Sequence, residues 1–111
     1  MVNEVVLVTS DTLGSPDDKL GAILISSFLR LLGQREEVPK YVILLNAGVK
    51  LAVKGAETVE HLNVLEQRGV TIISCMTCVD YFDLEAEIAV GIIDGMVRIQ
   101  NELTTHSVLT I

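Results

Sequence analysis

Residues 70–78 read VTIISCMTC, a short β-branched run that leads directly into two cysteines. A run of this kind in Val70–Ser74 is typical of a strand buried in a parallel sheet. Cys75 follows the strand at once, and Cys78 is expected on or near the start of a helix. The segment therefore predicts a strand-to-helix turn that carries two thiols.

Similar runs recur on both sides of this segment. Strands are predicted at Glu4–Ser10, Tyr41–Leu45 and Ser107–Ile111. The stretch Tyr81–Ile93 is less regular and is expected to hold a short helix and then a short strand near Ala89–Ile92. Because strands alternate with helices, the sequence predicts one α/β domain over residues 1–111, with a mainly parallel sheet covered on both faces. The strand order is left open.

Three helices are predicted between the strands. The first is capped by Ser15 and ends at Gly33. The second is capped by Thr58 and ends at Gly69, and the third covers Asp94–Leu103. Helical spacing predicts the buried face of the first helix, which consists of Leu20, Ile23, Leu24, Phe28, Leu31 and Leu32.

The composition excludes several classes of function. The net charge is −7, from 8 basic and 15 acidic residues, so binding to a phosphate backbone is not expected. No stretch of about 18 apolar residues is present, which predicts no membrane span. No secretory signal is recognised, so we expect a cytoplasmic protein. Hydrophobic residues make up 50% of the chain, which is a high share for a domain of this size. We expect either a subunit interface or a dense core to bury the additional apolar side chains.

Polar residues follow three of the predicted strands. Asp11 lies after the first strand, Asn46 after the second and Cys75 after the third. Ligands of open parallel sheets bind beyond the carboxyl ends of the strands. If these strands are neighbours, the three turns line one rim. The sequence therefore predicts a site there, with Asp11 either orienting a thiol-bearing substrate or holding its turn.

The two cysteines are the strongest candidates for chemistry. A structural disulfide is not expected in a cytoplasmic chain. Unpaired N–H groups at a strand-to-helix turn lower a thiol pKa, and the thiolate is the form that attacks sulfur. Lys50, just past Asn46, is placed to favour an anion by charge, unless it is simply solvated. The alternative for the cysteines is that they are buried and inert.

Neither a metal site nor a cofactor is predicted. Structural zinc usually needs four ligands. The chain offers two cysteines, and His61 and His106 stand at no recognisable ligand spacing.

The order of these motifs resembles the DsrE/DsrF-like sulfur-relay family, and most closely the DsrE-like domain of YedF-type selenium-metabolism proteins. The resemblance extends over residues 4–111. Four segments carry it: SDTLG at 10–14, LGAILISSFL at 20–29, NAGVKLAV at 46–53 and CMTCVDYF at 75–82.

The resemblance implies a flavodoxin-like, three-layer α/β/α fold and homo-oligomers, commonly trimers or hexamers. It implies that sulfur or selenium is held as a cysteine-bound persulfide or selenosulfide. Cys75 matches the sulfur-carrying cysteine of active relay members, and Cys78 matches the second cysteine of a C-G-T-C pattern. Asn46, Gly48 and Lys50 match an N-x-G-V-K pattern, and we take them as substrate-binding or supporting residues.

The chain departs from YedF-type proteins in two respects. Met76 stands where their pattern has glycine, which narrows access to Cys75 or restricts the turn. Their N-terminal TusA-like domain, with its Cys-Pro motif, has no counterpart in these residues. Sulfur donor and acceptor are therefore expected to be separate proteins.

Three hypotheses follow for the function. The first is a sulfur- or selenium-relay protein with sulfurtransferase-like chemistry at Cys75 and Cys78. The second is a dithiol–disulfide oxidoreductase that uses the same C-x-x-C pair. The third is a non-catalytic oligomeric binding subunit with inert cysteines.

Overall fold

A computed structural model describes all 111 residues. Five parallel strands form one sheet in the order β4-β3-β2-β1-β5. The strands are β1 (Val5–Val8), β2 (Tyr41–Leu44), β3 (Thr71–Cys75), β4 (Ile92–Asp94) and β5 (Val108–Thr110). The helices are α1 (Asp18–Leu32), α2 (Thr58–Gln67), α3 (Met76–Tyr81) and α4 (Met96–Thr105). Two 3-10 helices lie at Asn46–Ala52 and Glu85–Glu87. The predicted α/β class with a parallel sheet is confirmed.

The strand order distributes the helices unequally over the two faces. From β1 to β4 the chain always steps in one direction across the sheet, so right-handed crossovers leave α1, α2 and α3 on the same face. The last connection returns across the sheet to β5, and it places α4 alone on the other face. Ile25 and Leu65 belong to the larger core, whereas Ile99 of α4 belongs to a separate, smaller core.

The buried face of α1 differs from the prediction. Gly21, Ile25, Leu29 and Leu32 are buried, whereas Leu20, Ile23, Leu24 and Leu31 remain 42–58% exposed. The helix has two apolar stripes, and the stripe that contains Gly21 packs against the sheet. A Cβ atom at Gly21 would lie 2.7 Å from the Cβ of Thr12, so the glycine allows close packing there.

Both predicted helix caps are also shifted. Asp17, and not Ser15, caps α1, because its carboxylate accepts a 2.8 Å hydrogen bond from the Leu20 N–H. Thr58 is the first helical residue of α2. Its hydroxyl is buried and donates to the Leu51 carbonyl at 2.7 Å, which ties α2 to the first 3-10 helix. None of the helices combines the length and apolar character needed to cross a membrane.

The turn after β2 passes very close to the end of β1. Gly48 is fully enclosed there, and a Cβ atom at this position would overlap the Val8 carbonyl oxygen. The same oxygen accepts a 2.9 Å hydrogen bond from the Leu45 N–H. Gly48 therefore holds the Asn46 turn against the sheet.

We expect Gly48→Ala to lower the free energy of unfolding by roughly 1–3 kcal/mol, as overpacking of a buried position does. Urea unfolding of the two proteins measures this difference. Gly95→Ala is the matched control, because Gly95 has φ −88° and nothing lies within 4 Å of its added methyl group. Equal unfolding midpoints for Gly48→Ala and the wild type would contradict the packing argument.

Candidate functional site

The crevice of the sheet lies between the carboxyl ends of β3 and β4. After β3 the chain turns to the face that carries α3, whereas after β4 it turns to the face that carries α4. Neighbouring loops that part in this way open the crevice in which α/β proteins bind ligands. Cys75 is the last residue of β3 and is paired with Asp94, the last residue of β4. The first cysteine thus lies at the opening of this crevice.

The Cys75 side chain points into the smaller core. Successive side chains of a strand alternate between the faces, so Ser74 faces the larger core and Cys75 faces α4. Cys75 is only 1% exposed. Four apolar side chains share its cluster: Val5, Ile43, Ile73 and Ile99. The Oγ of Ser74 is buried without a hydrogen-bond partner.

Cys78 lies in the first turn of α3 and is partly exposed. It lines an open recess of about 360 Å³ together with Asn46, Thr77, Tyr81 and Phe82. The backbone N–H of Asn46 donates a hydrogen bond to Cys78 Sγ, with an N···S distance of 3.1 Å. Cys78 also packs against the smaller core, to which Cys75 belongs, and both thiols are free. The structure therefore brings together Cys75, Cys78 and Asn46.

The backbone of Asn46 adopts the left-handed conformation, with φ 53°. Asparagine tolerates this region better than most residues because its short side chain bonds locally. Here the Asn46 Oδ1 accepts a 2.8 Å hydrogen bond from the Ala47 N–H. This arrangement leaves the Asn46 N–H directed at Cys78.

The other predicted site residues are placed differently. Lys50 lies beside the recess, with its Nζ 4.5 Å from the centre of the Phe82 ring in a cation–π contact. Gly48 supports the turn through its contact with Val8. Asp11 lies in the bend after β1 and is not among the residues that line the recess.

Asp94 is a residue at the crevice that the sequence did not single out. Its carboxylate accepts a 2.7 Å hydrogen bond from the Gly95 N–H and pairs with Arg98 at 3.6 Å. The prediction placed the strand near Ala89–Ile92 and began the following helix at Asp94. β4 in fact runs through Asp94, and α4 begins at Met96.

Both histidines lie outside this crevice. His61 Nε2 is 3.2 Å from the Ser26 hydroxyl, between α2 and α1. His106 Nδ1 is 2.9 Å from the Glu102 carbonyl oxygen at the end of α4. No three His, Cys, Asp or Glu side chains are grouped closely enough to hold a metal ion.

The expected lowering of the thiol pKa is wrong for Cys78. Burial raises the pKa of the Cys78 thiol above its usual value, and the neighbouring Cys75 side chain adds to this rise. The Asn46 hydrogen bond opposes the rise without cancelling it. The free thiol is therefore held mainly in its protonated form near neutral pH.

Comparisons with known proteins establish the fold. The YchN protein from E. coli superimposes with a TM-score of 0.73 at 18% identity, covering 99% of this chain and 100% of that chain. MTH1491, a protein of unknown function from Methanobacterium thermoautotrophicum, gives a TM-score of 0.67 at 17% identity over 96% of both chains. This chain has the DsrE/YchN-like fold. The predicted flavodoxin-like DsrE architecture is thereby confirmed. No family model and no curated protein sequence matches the chain.

The raised pKa of Cys78 predicts the pH dependence of its alkylation. In the wild type, the rate at which iodoacetamide alkylates Cys78, followed by peptide mapping, should still be rising at a pH where the urea-unfolded chain has levelled off. The reason is that the thiolate fraction of the folded protein is smaller at every pH up to the raised pKa. A half-maximal rate at a lower pH in the folded protein than in the unfolded one would contradict this assignment.

Proposed function

We propose that this protein is a cytoplasmic sulfur-relay carrier that holds sulfur as a persulfide on the Cys75–Cys78 pair. The observation that carries the proposal is the pair itself, at the crevice of a DsrE-like sheet, with one thiol open to a recess. A thiolate attacks a sulfur–sulfur bond and displaces the other thiol. The same exchange chemistry serves both the uptake of sulfur from a donor and its delivery to an acceptor.

The surroundings of the recess suit an anionic sulfur. A hydropersulfide is a stronger acid than its parent thiol, so the loaded cysteine carries a negative charge more readily than the free one. The Asn46 N–H lies at Cys78 Sγ, and Lys50 stacks on Phe82 beside the recess. None of the five residues that line the recess is acidic. These groups stabilise the loaded form by hydrogen bonding and charge.

The donor and the acceptor in this proposal are separate proteins, with a TusA-like carrier as one candidate. Both present a cysteine, because each transfer exchanges one sulfur atom between two thiols. Selenium forms the analogous selenosulfide by the same exchange and is included in the proposal.

Loading with sulfur tests the proposal directly. Intact-mass measurement at early times after mixing with cysteine hydropersulfide should show the wild type heavier by one sulfur atom. A Cys75→Ser/Cys78→Ser double variant should gain nothing. Failure of the wild type to load under conditions that load a free low-molecular-weight thiol would overturn the relay function.

A dithiol–disulfide oxidoreductase is the second candidate, because two free cysteines meet at the same strand-to-helix turn and pack against the same core cluster. This function needs no stable persulfide. It requires instead that the pair cycle between dithiol and disulfide at cellular potentials, as measured by titration against glutathione. If the two thiols stay reduced over the whole range of cellular potentials, the protein is not a dithiol–disulfide oxidoreductase.

We also propose that the protein forms a homo-oligomer, a trimer or hexamer, through the exposed stripe of α1. Leu20, Ile23, Leu24 and Leu31 lie on one side of the helix and are 42–58% exposed. At Leu31 the stripe reaches an apolar groove of about 410 Å³ that Phe28 and Leu109 also line. Monomeric proteins rarely leave a contiguous apolar surface of this kind in water.

The stripe is tested by a charged substitution at its centre. Leu24→Glu should convert the oligomer to monomers in sedimentation velocity, because an unpaired carboxylate would be buried at the interface. Ala22→Glu is the matched control, since Ala22 is exposed on the same helix but lies outside the stripe. A wild type that sediments as a monomer would contradict self-association, and an unchanged oligomer in Leu24→Glu would exclude this surface.

A further inference from the structure

The two cysteines differ sharply in access to solvent. Cys75 is 1% exposed and is enclosed between the sheet and α4. Cys78 opens on the recess beside α3 and is the only sulfur among the residues that line it. A donor protein must bring its persulfide within bonding distance of the attacking thiol. In this structure only Cys78 meets that requirement.

The hydrogen bonding favours the same cysteine. The Asn46 N–H donates to Cys78 Sγ at 3.1 Å, and the local bond from Ala47 to the Asn46 side chain keeps that N–H in place. A hydrogen bond to sulfur stabilises its anionic form, including the thiolate that attacks and the thiolate that leaves. Asn46 therefore acts as a positioning residue for both directions of transfer.

We propose that Cys78 is the thiol that exchanges sulfur with partners. The buried Cys75 ends the life of the Cys78 persulfide by forming a disulfide with Cys78. This assignment rests on the proposed relay function, and it reverses the order implied by the family resemblance, in which Cys75 carries the sulfur. In the loading step, Cys78 thiolate attacks the outer sulfur of a donor hydropersulfide. A Cys78 persulfide forms, the donor's sulfur–sulfur bond breaks, and the donor leaves as a thiolate.

Cys75 then limits how long the persulfide lasts. Its sulfur attacks the inner sulfur of the Cys78 persulfide, which forms the Cys75–Cys78 disulfide and expels the outer sulfur as hydrosulfide. The outer sulfur takes up the two electrons that the two cysteine sulfurs lose, so no other oxidant or reductant takes part. The thiol proton of Cys75 ends on the departing sulfur, which therefore leaves as hydrosulfide. A bound acceptor thiol competes with this step by attacking the outer sulfur first.

Single-cysteine variants separate these roles. Cys75→Ser and Cys75→Ala should load from cysteine hydropersulfide as fully as the wild type and should hold the sulfur several-fold longer. Cys78→Ser and Cys78→Ala should not load. The wild type alone should release hydrosulfide and accumulate the internal disulfide. Intact mass, peptide mapping after alkylation and a hydrosulfide assay measure these quantities, and circular dichroism checks that each variant is folded.

The outcomes distinguish this assignment from the relay function itself. Loading of folded Cys78→Ser with loss of loading in Cys75→Ser would overturn the order while leaving the relay function intact. Equal loading of both single variants would also overturn it. Failure of the wild type and of every variant to load would overturn the proposed function and this assignment together.

Discussion

The position of both sulfur atoms depends on one constraint, the alternation of side chains along β3 up to its last residue. Ile73 and Cys75 face α4, whereas Ser74 faces the larger core. Because the strand extends through Cys75, the first thiol is buried as part of the sheet. The chain then leaves the sheet and begins α3, so the second thiol, three residues later, opens on a different surface. A C-x-x-C motif at a strand end thus yields one enclosed and one accessible cysteine.

The strand order determines what encloses Cys75. Three helices cover one face of the sheet because the chain advances in one direction from β1 to β4, and only α4 covers the other. Ile99 anchors α4 on that face. The Tyr41 hydroxyl and the Asn101 amide bind the buried Glu102 carboxylate, and these bonds hold the pKa of Glu102 below its usual value. The cover over Cys75 is therefore a single short helix fixed by a few contacts, whereas Cys78 needs no movement to be reached.

Much of the fold follows from the sequence, and each departure has a physical cause. All five strands were predicted. The three central ones are the clearest, because burial on both faces leaves few polar residues, whereas the prediction for β4 begins three residues too early. Helical spacing alone did not identify the buried face of α1, since two apolar stripes satisfy it and the close approach at Gly21 decides between them. At the site, the turn that carries the two cysteines was predicted. The approach of Asn46 to it was predicted only on the condition that the strands are neighbours, because the sequence does not reveal the strand order. The direction of the Cys75 side chain was not predictable, because the predicted strand ended at Ser74 and left Cys75 in the turn, whereas β3 extends through Cys75 and fixes its face.

The negative charge of the chain makes the groups around the recess, the Asn46 N–H and Lys50, more important for stabilising an anionic sulfur. A protein of net charge −7 provides no general attraction for an anionic persulfide, and Asp83, Glu85 and Glu87 form an acidic surface just beyond α3. No carboxylate lines the recess, and the positive charge of Lys50 lies at its edge, over the Phe82 ring. Interactions between exposed charges fall off within about 8–10 Å in physiological salt. At the Cys78 sulfur itself, stabilisation of an anion therefore depends on the Asn46 N–H, whose hydrogen bond spans 3.1 Å. In the relay proposed above, the same acidic surface would favour a donor or acceptor whose docking face is basic.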